Sequence, residues 1–313
     1  MKALIFGITG QDGTLLAQYL QNKGLLVVGT SRDIKKINLN TLNGFKIHEL
    51  NTLSFSEIFN LIKLESPDII YNLSGQTSVG KSFSEPLETY QTIVATTLYI
   101  LESIRISKPE IKLFNASSTE CFGFSDIDGL TEKSPFNPLS PYATAKVMAY
   151  NLVSDYRSNY GIYVCTAIFS NHESHLRSTD FISMKIVEAA YNISMGLQKH
   201  LEVGDITIIR DWGWASDYIE GIYLMMNQNV PDDYILATGK SITLEDFINY
   251  AFAKFNLDYK KYVRINKSFI RQNEIKKIYL NPQKAFDKLG WKAKHTVYDV
   301  IDKLIKYKCE RTF

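Results

Sequence analysis

Short apolar runs alternate with amphipathic segments along the first half of the chain. Each run is rich in β-branched or aromatic residues and is bounded by turn residues, which is typical of buried strands. The segments between the runs repeat apolar residues at intervals of three and four, which predicts helices with one buried face. The predicted strands are Ala3–Phe6, Leu25–Val28, Asp68–Leu73, Ile111–Ala116 and Tyr163–Phe169. The predicted helices are Thr14–Asn22, Ser54–Leu64, Thr89–Ser107 and Tyr142–Tyr160.

This alternation predicts an α/β fold built on a parallel, doubly wound sheet of the Rossmann type. Right-handed crossovers place helices on both faces of such a sheet. The regular alternation loosens after residue 170. We therefore expect one domain over residues 1–170 and a smaller, interwoven domain over residues 171–313, with a segment of the second half returning to the sheet.

Composition and charge narrow the class of protein. The 313 residues carry a net charge of +2 and 45% of them are hydrophobic, which is ordinary for a globular protein and disfavours nucleic acid as the main partner. The three cysteines are far apart and follow no metal-ligand spacing, so we expect a reducing compartment and no metal. The chain shows neither a signal peptide nor an apolar run long enough to span a bilayer. We therefore expect a cytoplasmic protein without a membrane partner.

A glycine-rich turn follows the first predicted strand. Its three glycines stand where a tight turn, close approach of the backbone to a pyrophosphate and close helix packing require small residues. The helix that begins there offers unpaired N–H groups and a partial positive charge. This context predicts a dinucleotide-binding site in the first domain. The contacts that we expect, here and at neighbouring strand ends, come from Gly7, Thr9, Gly10, Gln11, Asp12, Gly13, Asn51, Thr52, Leu73 and Ser74. Tyr142 and Lys146 are expected to contact the cofactor as well.

The stretch after the second predicted strand bears on the choice between NADP and NAD. An acid that holds the ribose hydroxyls of NAD is usual at the position of Ser31, and Arg32 follows it. A cation beside a small hydroxyl suits the 2′-phosphate of NADP, so we favour NADP with Arg32 as a ligand. NAD stays open, because Asp33 becomes the ribose ligand if the strand ends later than we expect.

Four polar residues predict acid–base chemistry. Tyr142 and Lys146 are four positions apart and therefore share one face of a helix. The ammonium of Lys146 stabilises a Tyr142 phenolate, which can take a proton from a hydroxyl while hydride leaves the same carbon. Ser118, beyond the end of a predicted strand, can donate a further hydrogen bond to the reacting oxygen. Glu120 lies two residues on, where an additional acid or base would act on the substrate.

Motifs spread over nearly the whole chain resemble those of the extended short-chain dehydrogenase/reductases, and most closely those of the GDP-mannose 4,6-dehydratases. NHES and RDWG are much more specific than the glycine turn or the Tyr/Lys pair. The motifs are GITGQDG (Gly7–Gly13), IYNLSGQTSV (Ile70–Val79), SSTECFG (Ser117–Gly123), SPYATAK (Ser140–Lys146), NHES (Asn171–Ser174), RDWGWASDY (Arg210–Tyr218), ATGKSIT (Ala237–Thr243) and LGW (Leu289–Trp291).

The resemblance implies conversion of a GDP-hexose, with GDP-mannose favoured, into a GDP-4-keto-6-deoxyhexose. Tyr142, assisted by Ser118 and Lys146, deprotonates the 4-hydroxyl while C4 gives hydride to the nicotinamide. Glu120 then removes the C5 proton and assists loss of the C6 hydroxyl as water, and hydride returns to C6. The resemblance also implies that the nucleotide sugar is bound by Ser78, Thr119, Asn171, Lys185, Arg210, Arg271 and Glu274.

The chain departs from the family's pattern in length and at single positions. The segment Ile34–Phe45 is shorter than in typical members, which puts a tetramer in doubt. A homodimer through the helices Thr89–Ser107 and Tyr142–Tyr160 is the assembly that we expect. Substitutions near the expected substrate and adenine leave open GDP-N-acetylglucosamine or another NDP-hexose. They are Asn51, Thr52, His175, Leu176, Ser178, Met184, Trp214, Gln272 and Asn273.

Two further classes of function stay open. An epimerase or reductase on the same fold would use Ser118, Tyr142 and Lys146, but it needs no acid at position 120. Glu120 therefore disfavours both of these enzymes. A non-catalytic NADP-sensing protein would typically have lost Tyr142 or Lys146, and this chain has both residues.

Overall fold

The computed structural model describes residues 1–36, 39–271 and 273–310, and the chain divides into two compact units. The first unit comprises Met1–Gly123, Pro135–Phe169 and Ile219–Tyr234. The second comprises Phe124–Ser134, Ser170–Tyr218 and the described residues from Ile235 onwards. The first unit therefore includes a segment from the second half of the chain.

Twelve strands and thirteen α-helices lie within the described residues. The strands are β1 (Lys2–Phe6), β2 (Leu26–Ser31), β3 (Lys46–Glu49), β4 (Ile69–Asn72), β5 (Lys112–Ser118), β6 (Val164–Phe169), β7 (Asn171–Glu173), β8 (Leu201–Val203), β9 (Ile209–Trp214), β10 (Tyr234–Leu236), β11 (Ser241–Thr243) and β12 (Val263–Ile265). The helices are α1 (Gln11–Asn22), α2 (Leu39–Leu42), α3 (Phe55–Glu65), α4 (Val79–Ser84), α5 (Pro86–Tyr90), α6 (Thr96–Ser107), α7 (Pro141–Tyr160), α8 (Ile182–Ser194), α9 (Ala215–Met226), α10 (Leu244–Ala253), α11 (Tyr259–Tyr262), α12 (Gln283–Leu289) and α13 (Val297–Glu310).

A seven-stranded sheet, counted over the described residues, is the frame of the first unit. Its strand order is β10-β6-β5-β4-β1-β2-β3, and β10 begins at Tyr234, the last residue of that unit. The pairings that connect β1 to β6 are all parallel. The order reverses between β1 and β4, which is the doubly wound arrangement, so the predicted α/β Rossmann-type fold is confirmed. Because the strands are parallel, their carboxyl ends lie at one edge of the sheet.

Apolar side chains of this sheet pack against helices α3, α6 and α7. The apolar runs of β1, β4 and β5 supply buried residues from the sheet, and the apolar stripes of the helices meet them. Burial of this surface is the main favourable contribution to folding. The cluster includes Leu4, Phe6, Ile70, Leu113, Ile58, Ile62, Ile100, Leu101, Ile104 and Val153.

The structure differs from the predicted elements at three places. Strand β3 was not predicted, and β2 continues to Ser31 rather than ending at Val28. The predicted helix Thr89–Ser107 consists of α5, a π-helical turn over Gln91–Ala95, and α6. Of the segment Ile34–Phe45, residues 37 and 38 lie outside the described residues.

The second unit has a smaller core of its own. Strand β9 pairs with β11 on one side and with β7 on the other, and β8 pairs with β12. Helices α8, α10 and α13 cover these strands. In this core the centres of the Trp212 and Phe247 rings lie 5.2 Å apart. No helix formed by the described residues combines the length and the apolar character that crossing a bilayer demands.

Candidate active site

The glycine turn after β1 packs closely against the loop after β4. Gly7 has a φ of +86°, a conformation that residues with a side chain rarely adopt. A Cβ at Gly7 would lie 2.9 Å from the carbonyl oxygen of Leu73, and one at Gly13 would lie 2.2 Å from that of Gly7. These distances leave no room for a side chain. The turn and the Leu73–Ser74 backbone, both predicted to contact a dinucleotide, are therefore brought together.

The amino end of α1 has the properties of an anion site. Gly10 is the N-cap and has no side chain with which to cap the helix, and both Thr9 and Gly10 are exposed. Gln11 donates to the Asp12 carboxylate over 3.1 Å. Backbone amides at a helix start, beside a turn that has no room for side chains at Gly7 and Gly13, fit the pyrophosphate of a dinucleotide.

Strand β2 ends at Ser31, whose hydroxyl is engaged by the following turn. It accepts the Asp33 N–H at 3.2 Å and donates to the Asp33 carbonyl at 3.0 Å. The Asp33 carboxylate accepts the N–H of Lys35 at 2.9 Å. Arg32 is 65% exposed, and its guanidinium lies 3.3 Å from the carboxylate of Glu88. Ser31 is thus the last residue of the strand, and Arg32 is the first side chain beyond it.

The loops after β3 and β4 complete this edge of the sheet. Asn51 is exposed and its side chain accepts the Leu53 N–H at 3.0 Å. Thr52 is buried and its carbonyl accepts the hydroxyl of Thr96 at 3.1 Å. Ser74 donates to the Asn72 side chain at 2.6 Å. The predicted dinucleotide contacts therefore lie at the carboxyl ends of neighbouring strands.

Tyr142 and Lys146 lie in the first turns of α7. The helix begins with an N-cap from Ser140, which accepts the Ala143 N–H at 3.1 Å, and with Pro141 in the first turn. Both side chains are buried, and the Lys146 Nζ lies 5.8 Å from the centre of the Tyr142 ring. Burial lowers the pKa of Lys146 to about 8. The Lys146 ammonium donates to the Ala116 carbonyl at 2.7 Å, which ties α7 to β5.

Ser118 and Glu120 lie where β5 passes into a short 3₁₀ turn, Thr119–Phe122. The Ser118 hydroxyl caps this turn by accepting the Glu120 N–H at 3.3 Å. The buried thiol of Cys121 lies 3.9 Å from the Ala143 carbonyl, in the first turn of α7. The turn that carries Glu120 is therefore joined to the helix that carries Tyr142, and the four predicted catalytic residues belong to one connected part of the first unit.

Three of the predicted nucleotide-binding residues meet in the second unit. Arg210, on β9, is buried, and its guanidinium lies 3.2 Å from the Glu274 carboxylate. Arg271 is more exposed and lies 3.7 Å from the same carboxylate. Gln272, within the Arg271–Glu274 spacing, lies outside the described residues. Two guanidinium groups around one acid form a positively charged cluster.

The remaining predicted substrate residues have separate surroundings. Lys185, on α8, donates to the Glu202 carbonyl at 3.0 Å, and its ammonium lies 4.7 Å from the centre of the Phe269 ring. Asn171 begins β7 and pairs with Trp212 of β9. The Ser78 hydroxyl is the N-cap of α4, and Thr119 is buried in the 3₁₀ turn. Sequence spacing alone did not indicate the capping role of Ser78.

Known proteins resemble this chain over nearly its whole length. The family model described as GDP-mannose 4,6 dehydratase matches residues 4–304. The chain belongs to the GDP-mannose 4,6-dehydratase family. GDP-mannose 4,6 dehydratase 1 of Arabidopsis thaliana is 37% identical over 308 residues, which cover 93% of this chain and 85% of the relative. GDP-mannose 4,6-dehydratase of Yersinia enterocolitica is 34% identical over 344 residues, which cover 97% of this chain and 92% of the relative.

Solved structures with the same fold include other sugar-nucleotide enzymes. UDP-glucose 4-epimerase of Thermotoga maritima, solved with UDP-glucose, has a TM-score of 0.89 at 19% identity and covers 100% of both chains. dTDP-glucose 4,6-dehydratase of Bacillus anthracis, solved with NAD, has a TM-score of 0.86 at 20% identity and covers 99% of this chain and 97% of its own. At this identity the structures support the fold of the family member described here.

The family motif RDWG contains a structural acid that the sequence reasoning did not single out. Asp211 is buried beside Arg210, and burial raises the pKa of its carboxyl group. Its oxygens accept the N–H groups of Thr238 at 3.1 Å and Gly239 at 2.8 Å, and the Ser170 hydroxyl at 3.0 Å. Asp211 thus holds the ATGKS loop against β9. The available signal was a pair of charged residues, Arg210 and Asp211, in the middle of a short strand whose other residues are apolar or glycine.

Proposed function

We propose that the protein is a GDP-mannose 4,6-dehydratase that converts GDP-mannose into GDP-4-keto-6-deoxymannose. The observation that carries the proposal is the connection between the Glu120 turn and the Tyr142 helix. Cys121 reaches the Ala143 carbonyl and Lys146 reaches the Ala116 carbonyl, so an acid accompanies the Tyr/Lys pair. An epimerase or a simple reductase needs no such acid, whereas a dehydratase does.

Tyr142 is the proposed base for the 4-hydroxyl of the sugar. Lys146 supports the phenolate through its charge, and Ser118 donates a hydrogen bond to the reacting oxygen. Burial of both Tyr142 and Lys146 excludes water and strengthens their electrostatic interaction. A bound nicotinamide supplies the acceptor and the later donor of hydride, and the glycine turn with Leu73 and Ser74 would hold its dinucleotide.

Glu120 is the proposed acid and base for the elimination. A ketone at C4 acidifies the hydrogen at C5, and the carboxylate of Glu120 removes it as a proton. The same carboxyl group then gives a proton to the departing C6 hydroxyl, so that water leaves without a net change in the protonation of Glu120. When hydride returns to C6, C5 must take up a proton, which Glu120 supplies after it has been reprotonated by solvent.

The cluster of Arg210, Arg271 and Glu274 is the proposed site for the nucleoside diphosphate, with Lys185 and Asn171 contributing. Guanidinium groups donate paired hydrogen bonds to phosphate oxygens, and their charge persists at any physiological pH. Glu274 lies within 4 Å of both guanidinium groups, which limits their conformations before the diphosphate binds. Ser78 and Thr119 are proposed to contact the sugar.

NADP is the proposed cofactor. Support comes from the end of β2 at Ser31, which leaves a hydroxyl where an acid would hold the ribose of NAD, and from the exposed guanidinium of Arg32 next to it. A cation at this position favours a 2′-phosphate, while an acid would repel it.

We further propose that two copies of the chain form a homodimer and that it acts in the cytoplasm. The cysteines Cys121, Cys165 and Cys309 are all without a disulfide partner, which suits a reducing compartment. The dimer is proposed to form through α6 and α7, which each expose an apolar residue, Ile106 and Met148.

Isotope transfer tests the dehydratase proposal. With GDP-mannose deuterated at C4, the product should be a 4-keto sugar with deuterium in its C6 methyl group and with solvent hydrogen at C5. No reductant should be needed, and the absorbance of reduced cofactor should show no net change. Tyr142→Phe, which keeps the buried ring, is the inactive control. Accumulation of reduced cofactor, or a product that retains its C6 hydroxyl, would contradict the proposal.

A further inference from the structure

A buried glutamine organises the loop between β4 and α4. Gln76 is 8% exposed, and its side-chain amide binds both peptide groups of Ser78. Its Nε2 donates to the Ser78 carbonyl at 2.8 Å, while its Oε1 accepts the Ser78 N–H. A side chain that satisfies both groups of one residue fixes the local backbone direction, as a paired strand would.

Two buried threonines hold Gln76 in turn. The Gln76 Nε2 donates to the Thr89 hydroxyl oxygen at 3.3 Å, and the Gln76 backbone N–H donates to that of Thr92 at 3.4 Å. The threonine hydroxyls donate their own protons to the carbonyls of Glu85 at 2.8 Å and Glu88 at 2.7 Å. Their protons are thereby directed away from Gln76, and their lone pairs accept from it.

The same loop contacts the π-helical turn Gln91–Ala95, which includes Thr92 and follows Thr89. Gly75 has a φ of +115°, and a Cβ there would lie 3.1 Å from Ile93 and 3.3 Å from the carbonyl oxygen of Thr92. Ile93 packs in one apolar cluster with Tyr142 and with two alanines of α7. Single π-helical turns occur often at functional sites. Here the turn contacts the loop after β4 on one side and the catalytic helix on the other.

We propose that Gln76 is a positioning residue for the dehydration, acting with Thr89 and Thr92 through the loop Leu73–Ser78. This inference rests on the proposed function. In this proposal Gln76 acts through its hydrogen bonds to Ser78 and Thr89. These hydrogen bonds fix the backbone of the loop whose residues are proposed to contact the cofactor and the sugar. The same loop contacts the π-helical turn Gln91–Ala95, and Ile93 of that turn packs with Tyr142. Displacement of reacting groups by about 1 Å can lower a rate by roughly 100-fold.

The proposal is tested by removing the side-chain amide of Gln76 and, separately, the Thr92 hydroxyl that accepts the Gln76 backbone N–H. Gln76→Met keeps the length of the side chain and should lower kcat roughly 10- to 100-fold, with a rise in KM for GDP-mannose and an unchanged pH profile. Thr92→Val removes the hydroxyl at constant shape and should lower kcat in the same direction. Thr92→Ser restores the hydroxyl and should restore kcat to near the wild-type value.

Ser103→Ala provides the matched control. Ser103 is a fully buried hydroxyl in α6 that donates to the Tyr99 carbonyl, four residues earlier, at 2.7 Å, and the two threonines donate to carbonyls at the same spacing. Its loss should lower the melting temperature without changing kcat or KM. Should Gln76→Met and Thr92→Val show the kinetics of Ser103→Ala, the inference is wrong although the dehydratase function stands. If Gln76→Met does not fold, the Thr92 pair decides. Absence of dehydration by the wild-type protein would instead overturn the proposed function and the inference with it.

Discussion

The role of Glu120 depends on one carboxyl group at the end of β5. We predict that Glu120→Gln keeps the binding of cofactor and GDP-mannose, because the amide has the shape of the acid and Ser118 still caps the turn. Its turnover should fall by on the order of 10² to 10⁴, the usual contribution of one acid or base. Steady-state kinetics and mass spectrometry of the product measure this. Near-normal dehydration would remove Glu120 from the mechanism, and Asp126→Asn, at an exposed acid, should stay at the wild-type rate.

Arg32 is the residue proposed to select NADP over NAD. Arg32→Ala should weaken NADP much more than NAD, because NADP alone carries the phosphate that the guanidinium is proposed to meet. Charge-assisted hydrogen bonds contribute about 1.5–3 kcal/mol, so roughly a 10- to 100-fold loss is expected in binding titrations. Asp33→Asn should leave NADP binding unchanged. If the purified protein carries NAD and Asp33→Asn releases it, Asp33 is the ribose ligand and the assignment of Arg32 is wrong.

Among the secondary-structure elements, a buried acid at the end of α3 joins two strands. Glu65 is paired with Lys2 of β1, with Lys46 of β3 at 2.7 Å and with His48 of β3 at 2.7 Å. Burial by itself would raise the pKa of Glu65, but the hydrogen bonds from these three partners prevail and lower it to about 2. Glu65 therefore connects the end of α3 to two strands of the sheet, β1 and the edge strand β3.

A lowered pKa makes this contribution to stability depend on pH. The stabilisation should be complete above pH 4.5, the ordinary value for the acid, and should be lost as the pH falls through about 2. Glu65→Gln should lower the free energy of unfolding at pH 7 by on the order of 3 kcal/mol, which corresponds to this shift. Urea unfolding at several pH values measures it. The difference from wild type should shrink towards pH 2, and a constant difference would contradict the pairing. Glu110→Gln, at an exposed acid, is the control.

For the whole molecule, the apolar stripe of α7 extends beyond its own unit's core. Ala145, Ala149 and Val153 of this helix are buried, but Met148, next to Ala149 in the sequence, is 44% exposed. We expect a second copy of the chain to cover it. Light scattering should then give about twice the chain mass of 35.7 kDa. Met148→Asp should shift the mass towards one chain, while Leu197→Asp, at a residue that is 75% exposed elsewhere, should leave the dimer intact. A wild-type mass of one chain would contradict this assembly.

The sequence by itself determined the elements whose signals are local. Buried strands are continuous apolar runs, and helices covering them repeat apolar residues at their own period, so β1, β4, β5, β6 and α7 could be predicted to within a few residues. The glycine turn needs small residues because of close backbone contacts, and Tyr142 and Lys146 share a face because of helix geometry alone. The motifs then identified the family, because each motif combines several residues that the turn, the helix or the chemistry requires.

Tertiary structure decided what depends on partners distant in sequence. Strand β3, Lys46–Glu49, has one aliphatic residue and becomes a strand because β2 pairs with it and Glu65 binds two of its side chains. A periodic pattern also does not identify the neighbours of single residues. These neighbours determine the capping role of Ser78, the hydrogen bonds of Gln76 and the exposure of Met148. The period of the apolar residues shows which face of a helix is buried. How much of that face is covered depends on the elements that pack against the helix.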